Sequence, residues 1–296
     1  MVKKNQYRAY FFAILTLLCW STVATAFKIA LRQLNYIQVL LVANLAALLF
    51  FSFVVSIRGM WRVTFGLNWQ QFMKAMVRGM LNPFAYYLIL FKAYSILPAQ
   101  VAQPANFVWP VVLMLLSVPL LKQPLRIRGL IALMVSFTGV LILSSQGKLG
   151  SFKIEQPAGV LLALSSSFIW ALFWIVNLKD QSDDLVKLFT SSLFSFLYIL
   201  VLSLLTHNLP QFRKPEIYAA VYAGFFEMGI PFILWLKALQ YSESTDRVSN
   251  LIYLTPFISL ILIKYVLHEQ VYYTSLIGLC MIMAGIIICQ IKNKRS

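Results

Sequence analysis

The sequence predicts an all-α integral membrane protein of ten transmembrane helices, arranged as two inverted five-helix repeats. Three observations carry that prediction. Of 296 residues, 60% are hydrophobic and 11% are charged, with a mean hydropathy of +0.79; soluble proteins carry about 25% charged residues. Apolar runs long enough to cross a bilayer recur along the whole chain. Short motifs also occur twice at a nearly constant spacing. This composition argues against a soluble enzyme, a disordered chain and a secreted disulfide scaffold.

A bilayer core about 30 Å thick needs roughly 20 apolar residues per helix. The first run, Tyr10–Leu31, follows Lys3, Lys4 and Arg8 and contains Ala24-Thr25-Ala26, which looks like a signal-peptidase site. The run continues past that site, so it reads as a retained helix. The second, Ile37–Ile57, carries Asn44, and the third, Phe72–Ile96, is interrupted by Asn82-Pro83. The fourth, Gln100–Leu121, holds Pro104 and Pro110; the fifth is Arg128–Leu143. Pro157–Leu178, Leu185–Thr206, Ile217–Tyr241 with Pro231, Val248–Leu267 with Pro256, and Val271–Ile291 complete the set. The runs do not alternate in polarity and exceed the length of barrel strands, which excludes a β-barrel. Cys19, Cys280 and Cys289 all fall inside runs, without disulfide or metal spacing, and read as packing residues.

The formal charge of +16 comes from 25 Lys and Arg against 9 Asp and Glu. In a soluble chain it would suggest nucleic-acid binding. Here its distribution matters more, because basic residues are retained in cytoplasmic loops. With a cytoplasmic N-terminus, 15 basic residues fall in the tails and inner loops, and 5 (Arg32, Lys148, Lys153, Arg213 and Lys214) fall outside. Lys28, Arg78, Lys92, Lys237 and Lys264 lie within or at the ends of helices. Most of the charge is therefore an orientation signal, with both termini cytoplasmic and an even number of spans.

The repeat runs from residues 1–146 to residues 153–296, across a short linker at Gln146-Gly147-Lys148-Leu149-Gly150-Ser151. Trp20 has a counterpart in Trp170. Lys92-Ala93 matches Lys237-Ala238 at an offset of 145, and Pro110 matches Pro256 at 146. Leu121-Lys122-Gln123-Pro124 matches Leu267-His268-Glu269-Gln270, and Gly139-Val140 matches Gly285-Ile286, also at 146. Five spans is an odd number, so the second half must enter the membrane inverted. Inverted repeats are a recurrent plan of secondary transporters, with the substrate site near the midplane between the halves.

The ordered set of motifs resembles the drug/metabolite transporter superfamily, in its ten-helix EamA-type branch. The resemblance rests on Trp20-Ser21 with Phe27-Lys28, on Phe91-Lys92-Ala93-Tyr94 through Leu97-Pro98-Ala99, on Trp109-Pro110-Val111, and on Leu121-Lys122-Gln123-Pro124-Leu125. In the second half it rests on Leu236-Lys237-Ala238-Leu239, Leu254-Thr255-Pro256 and Leu267-His268-Glu269-Gln270. The family's glutamate after the fourth helix of a repeat is Glu269 here and is replaced by Gln123 in the first half. An arginine common in its second helix corresponds to Asn44. The resemblance implies a plasma-membrane exporter or exchanger of small metabolites, often amino acids or their relatives. It also implies a cavity between helices 1, 3 and 4 and helices 6, 8 and 9.

Ionisable groups inside a membrane face the bundle interior or a wet cavity. Glu227, near mid-depth among Gly224, Gly229 and Pro231, is the leading candidate to bind a substrate amine or a coupling proton. Lys92 and Lys237 form a pseudo-symmetric pair that either snorkels to the interface or meets an anionic group. Arg78, Lys28 and Lys264 read as snorkelling residues. Asn82 and Asn106 are candidate polar contacts. Trp20, Tyr86, Trp109, Trp170, Trp235 and Tyr253 are candidate aromatic walls; Tyr87, Trp174 and Phe226 lie in the same helices. Pro83, Pro110, Pro231 and Pro256 are candidate hinges, because a helical proline frees a carbonyl.

The expected activity is secondary transport of a small amino-acid-like or amphipathic metabolite, outward, by alternating access. The expected partners are a small-molecule substrate, the lipid bilayer (a bacterial inner membrane in particular) and a coupling proton, with no nucleic acid and no cofactor or metal. Organic-anion exchange through Lys92 and Lys237 is the alternative within transport, and a polytopic membrane enzyme the alternative outside it. Against an enzyme, Asp180, Asp183, Asp184 and Asp246 all lie in loops that read as solvated, His207 and His268 lie at helix ends, and there is no phosphate-binding glycine loop.

Overall fold

In a computed structural model of the chain, the described residues are 4–122, 127–148, 154–178, 180–210, 214–243, 248 and 250–290. Gln123-Pro124-Leu125, Leu149-Gly150-Ser151 and Asp246 lie outside them. So do Lys3, Arg126, Lys153, Lys179, Arg213, Arg247, Lys292, Lys294 and Arg295, and the side chain of Cys289.

The fold is an all-α integral membrane protein, with no strand among the described residues. Helix α1 (Gln6–Ala30) starts where the Asn5 side chain accepts the Arg8 N–H at 3.0 Å. Helix α2 (Tyr36–Ile57) starts on a capping box in which the Asn35 and Gln38 side chains each accept the other's backbone N–H. After the short α3 (Trp61–Phe65), the third span runs as α4 (Trp69–Gly79), a π-helical stretch (Met80–Ala85) and α5 (Tyr86–Ile96). The fourth is α6 (Ala99–Asn106) followed by α7 (Trp109–Leu121); α8 (Ile127–Ser144), α9 (Pro157–Leu178) and α10 (Asp184–Leu205) are uninterrupted. The eighth span is α11 (Glu216–Ala223), a second π-helical stretch (Gly224–Gly229) and α12 (Ile230–Tyr241). A 3-10 turn (Asn250–Leu254) leads into α13 (Thr255–Val266), and α14 (Tyr273–Gln290) ends the bundle. Among the described residues, seven helices are long and apolar enough to cross a membrane, and the ninth and tenth spans are shorter apolar helices.

Proline explains where the interrupted spans break. A proline has no N–H for the carbonyl four residues back. Pro83 follows Asn82, whose φ of −148° and ψ of 125° leave the helical region. Pro110, Pro231 and Pro256 each occupy the first turn of the helix that follows a break. The two π-helical stretches lie at equivalent places in the two halves, with Asn82 and Glu227 at an offset of 145. Lys122 and His268, equivalent at 146, both have left-handed φ, 55° and 54°.

The packing shows how the halves are related. Helices α8 and α14 cross antiparallel at glycines. A Cβ on Gly139 would meet the Gly278 carbonyl at 2.7 Å, and one on Gly285 would meet the Ala132 carbonyl at 2.7 Å. At the offset of 146, Gly139 corresponds to Gly285 and Ala132 to Gly278. The two contacts are therefore the same contact made twice, which requires a pseudo-twofold axis across these helices. The third spans repeat the pattern. Gly79 abuts the Ser191 carbonyl of α10, and its equivalent Gly224 abuts the Ala43 carbonyl of α2. Small residues at such crossings let helix backbones approach closely where lipid offers no hydrophobic drive. An axis across antiparallel equivalents inverts one half relative to the other.

Candidate functional site

Between α1, α5, α6, α7, α9, α12 and α13 lies a cavity of about 150 Å³. It sits between spans 1, 3 and 4 of the first half and 6, 8 and 9 of the second. Glu227 reaches it from the π-helical stretch of the eighth span. The Tyr87 hydroxyl donates to Glu227 Oε1 at 2.9 Å, and Oε2 has no hydrogen-bond partner among the described residues. Pro231, four residues on, offers no N–H to the Glu227 carbonyl. The Trp20 indole N–H takes that place at 3.3 Å and ties α1 to the break.

Tyr86 and Asn106 also line the cavity and are bonded to each other. The Tyr86 hydroxyl donates to Asn106 Oδ1 at 3.0 Å, and Asn106 Nδ2 donates to Ser166 Oγ at 2.8 Å, which joins α5, α6 and α9. The walls are rings in edge or tilted contact. Tyr86 lies 4.6 Å from Trp170, Trp170 lies 6.4 Å from Trp109 and 6.3 Å from Phe232, and Trp20 lies 6.1 Å from Phe232 and 6.2 Å from Trp235. Tyr253 completes the aromatic residues that the sequence proposed for this space.

A second cavity, of about 340 Å³, adjoins the first and holds Asn82, Pro83, Asn177, Asp180 and Lys187. Trp174, Phe232 and Trp235 line both cavities and form the layer between them. Asn82 therefore belongs to the neighbouring space, where its Oδ1 is buried without a partner. Pro110, Pro231 and Pro256 are buried at the breaks described above.

Four readings of charged residues need correction. Lys92 and Lys237 do not line either cavity: Lys92 is exposed with its Nζ 4.8 Å from the Tyr36 ring, and Lys237 Nζ lies 5.3 Å from the Phe12 ring. Their depth was readable from spacing, but the face each presents depends on tertiary packing. Arg78 does not snorkel, and Asp180 is not in a solvated loop. Both are buried and ion-paired, with Ser182 Oγ donating to Asp180 at 2.8 Å and Lys187 donating to its backbone carbonyl at 3.3 Å. Asp180, just after α9, thus meets Arg78 in the last turn of α4. Lys28 is tied down as well, donating to the Tyr94 and Leu97 carbonyls at the end of α5, at 3.1 and 3.0 Å. Asn44 bridges α2 to α10, bonded to Ser195 and Ser192 at 2.6 and 2.7 Å.

Sequence reasoning placed Tyr87 in a cavity helix but not as the partner of Glu227, and it missed Phe232 altogether. The proximity of Asn82 and Glu227 to equivalent breaks could have been found by extending the 145-residue offset beyond the obvious motifs.

The sequence model of the EamA-like transporter family matches the chain twice, over residues 7–145 and 157–290. An uncharacterized transporter, YvbV of Bacillus subtilis, is 25% identical over 74% of this chain and 72% of its own length. An uncharacterized transporter of Archaeoglobus fulgidus is 22% identical over 94% and 96%, and protein PecM of Dickeya dadantii 25% identical over 76% and 74%. A protein of known crystal structure shares the fold over 97% of both chains, with a TM-score of 0.66 at 19% identity.

Proposed function

The chain belongs to the EamA-like transporter family, and we propose that it carries small amphipathic metabolites related to amino acids through the aromatic cavity. The observation that carries this reading is the position of the cavity. It lies between the pseudo-symmetric halves, is walled by both, and is bordered by proline-interrupted spans. Such an arrangement suits alternating access, in which elements of one half rock against the other around a fixed site. The breaks at Pro83, Pro110, Pro231 and Pro256 are the hinge positions in this reading. Glu227 binds the polar end of the substrate or a coupling proton, and the rings take its apolar body.

The carrier lies in the plasma membrane, a bacterial inner membrane in this reading, with both termini cytoplasmic, and moves its substrate outward. Anion exchange has less support in this reading, since Lys92 and Lys237 are not among the residues lining the cavity. The test is a substrate panel in proteoliposomes holding purified protein, with and without a pH gradient. Saturable uptake that is accelerated by unlabelled substrate inside the vesicles is expected. Unsaturable flux would indicate a channel, and a chemically altered product would indicate an enzyme.

A further inference from the structure

From the charge inventory around the cavity, we infer that the site selects organic cations, flat or amphipathic amines without a carboxylate, and rejects free zwitterionic amino acids. The inference rests on the carrier reading and narrows its substrate class. Among the described residues that line the cavity, Glu227 is the one acid and there is no Lys, Arg or His. One carboxyl oxygen is held by Tyr87, and the other has no hydrogen-bond partner among the described residues. Around it stand the faces and edges of Trp20, Tyr86, Trp170 and Trp235. Aromatic walls beside a carboxylate attract an ammonium through both the ring quadrupole and the opposite charge.

A carboxylate on the substrate would find neither. Among the described residues, Lys28, Arg78, Lys187, Lys92 and Lys237 on the adjoining elements are engaged elsewhere. Lys28 caps the end of α5, in a separate pocket with Arg32 and Glu269. Arg78 and Lys187 are paired with Asp180 and Asp184, beyond the Trp174–Phe232–Trp235 layer. Lys92 and Lys237 lie against rings outside the cavity. A helix start can also receive an anion through its free N–H groups. Trp109 and Thr255 begin α7 and α13 at the cavity wall, but the next residue in each is proline, and the Val111 N–H is already given to the Val108 carbonyl at 3.0 Å. The other polar groups of the lining are neutral: Gln103, Asn106, Thr255, the tyrosine hydroxyls and the indole N–H groups, including the unpartnered Trp174 Nε1. A substrate carboxylate would therefore lie near Glu227 without a compensating charge, and like charges brought together in this way oppose binding.

The experiment is equilibrium binding of labelled tryptamine, tryptophan and uncharged 3-ethylindole to the purified full-length protein in detergent. Tryptamine is expected to bind roughly 30-fold or more tighter than either of the others. Glu227→Gln should remove that preference, and Glu227→Asp should keep part of it. The three-ligand comparison on the unaltered protein stands even if a variant fails to fold. Tryptophan or 3-ethylindole binding as tightly as tryptamine, or no binding of tryptamine, would overturn the inference. Counterflow with the same ligands separates it from the carrier reading. Tryptamine binding without exchange leaves the cation site standing and removes the carrier. Exchange of tryptophan in preference to tryptamine keeps the carrier and overturns the cation site.

Discussion

Glu227 is held at two places, by the Tyr87 hydroxyl on its side chain and by the Trp20 indole on its backbone. Glu227→Gln preserves shape and an acceptor for Tyr87, so folding should survive while transport falls at least tenfold, on the order of the loss of one buried charge contact; uptake per folded molecule measures it. Trp20→Phe keeps the six-membered ring but removes the donor together with the pyrrole ring. Hydrogen bonds between membrane helices average about 0.6 kcal/mol in double-mutant cycles, with a maximum of about 1.7, and the lost packing adds to that, so thermal unfolding in detergent should show a loss of about 1 kcal/mol or more. Arg78→Ala leaves Asp180 buried without its partner and should cost about 3–5 kcal/mol. Replacing both residues with apolar ones should cost less than either single change. The mid-depth acid was legible in the sequence because a charge in an apolar run is conspicuous. The Arg78–Asp180 pair was not, because it joins residues 102 apart in sequence through a loop whose course depends on the packed bundle.

Among the elements, the spans containing the candidate prolines are the interrupted ones, and the sequence could be read that far because a missing N–H acts locally. The π-helical form of two of the breaks and their pairing across the halves depend on the crossings at Gly79 and Gly224. A Cβ on Gly224 would collide with the Ala43 carbonyl and the Ala46 side chain. Gly224→Val should therefore yield little monodisperse protein by size-exclusion chromatography, whereas Ala219→Val, at a half-buried position of the same span, should behave like the parent. If both variants behave alike, the close crossing is not what positions the break. The short α3 escaped sequence reading because its five residues are too few to show a period.

Over the whole molecule, the all-α membrane fold and the repeat were legible in the sequence, because composition and an offset of 145 to 146 are global signals, whereas the cavity-forming helices were implied by the family resemblance. Which side chains face inward was less legible. Lys92 and Lys237 match as a pair, yet symmetry places both outside the cavity as readily as inside it. The basic-residue asymmetry predicts that a cysteine at Gln33 is labelled from outside the cell and one at Leu67 from inside; the reverse pattern would invert the assigned topology. The claim that joins these scales is that a cavity between inverted halves binds substrate at Glu227 and carries it across. Counterflow in proteoliposomes tests it most directly, using an amine panel with wild-type protein and Glu227→Gln side by side. The account predicts transient accumulation of labelled amine in wild-type vesicles preloaded with unlabelled amine, and none with Glu227→Gln. Equal accumulation by both proteins, or flux that never saturates and ignores the preload, would contradict it.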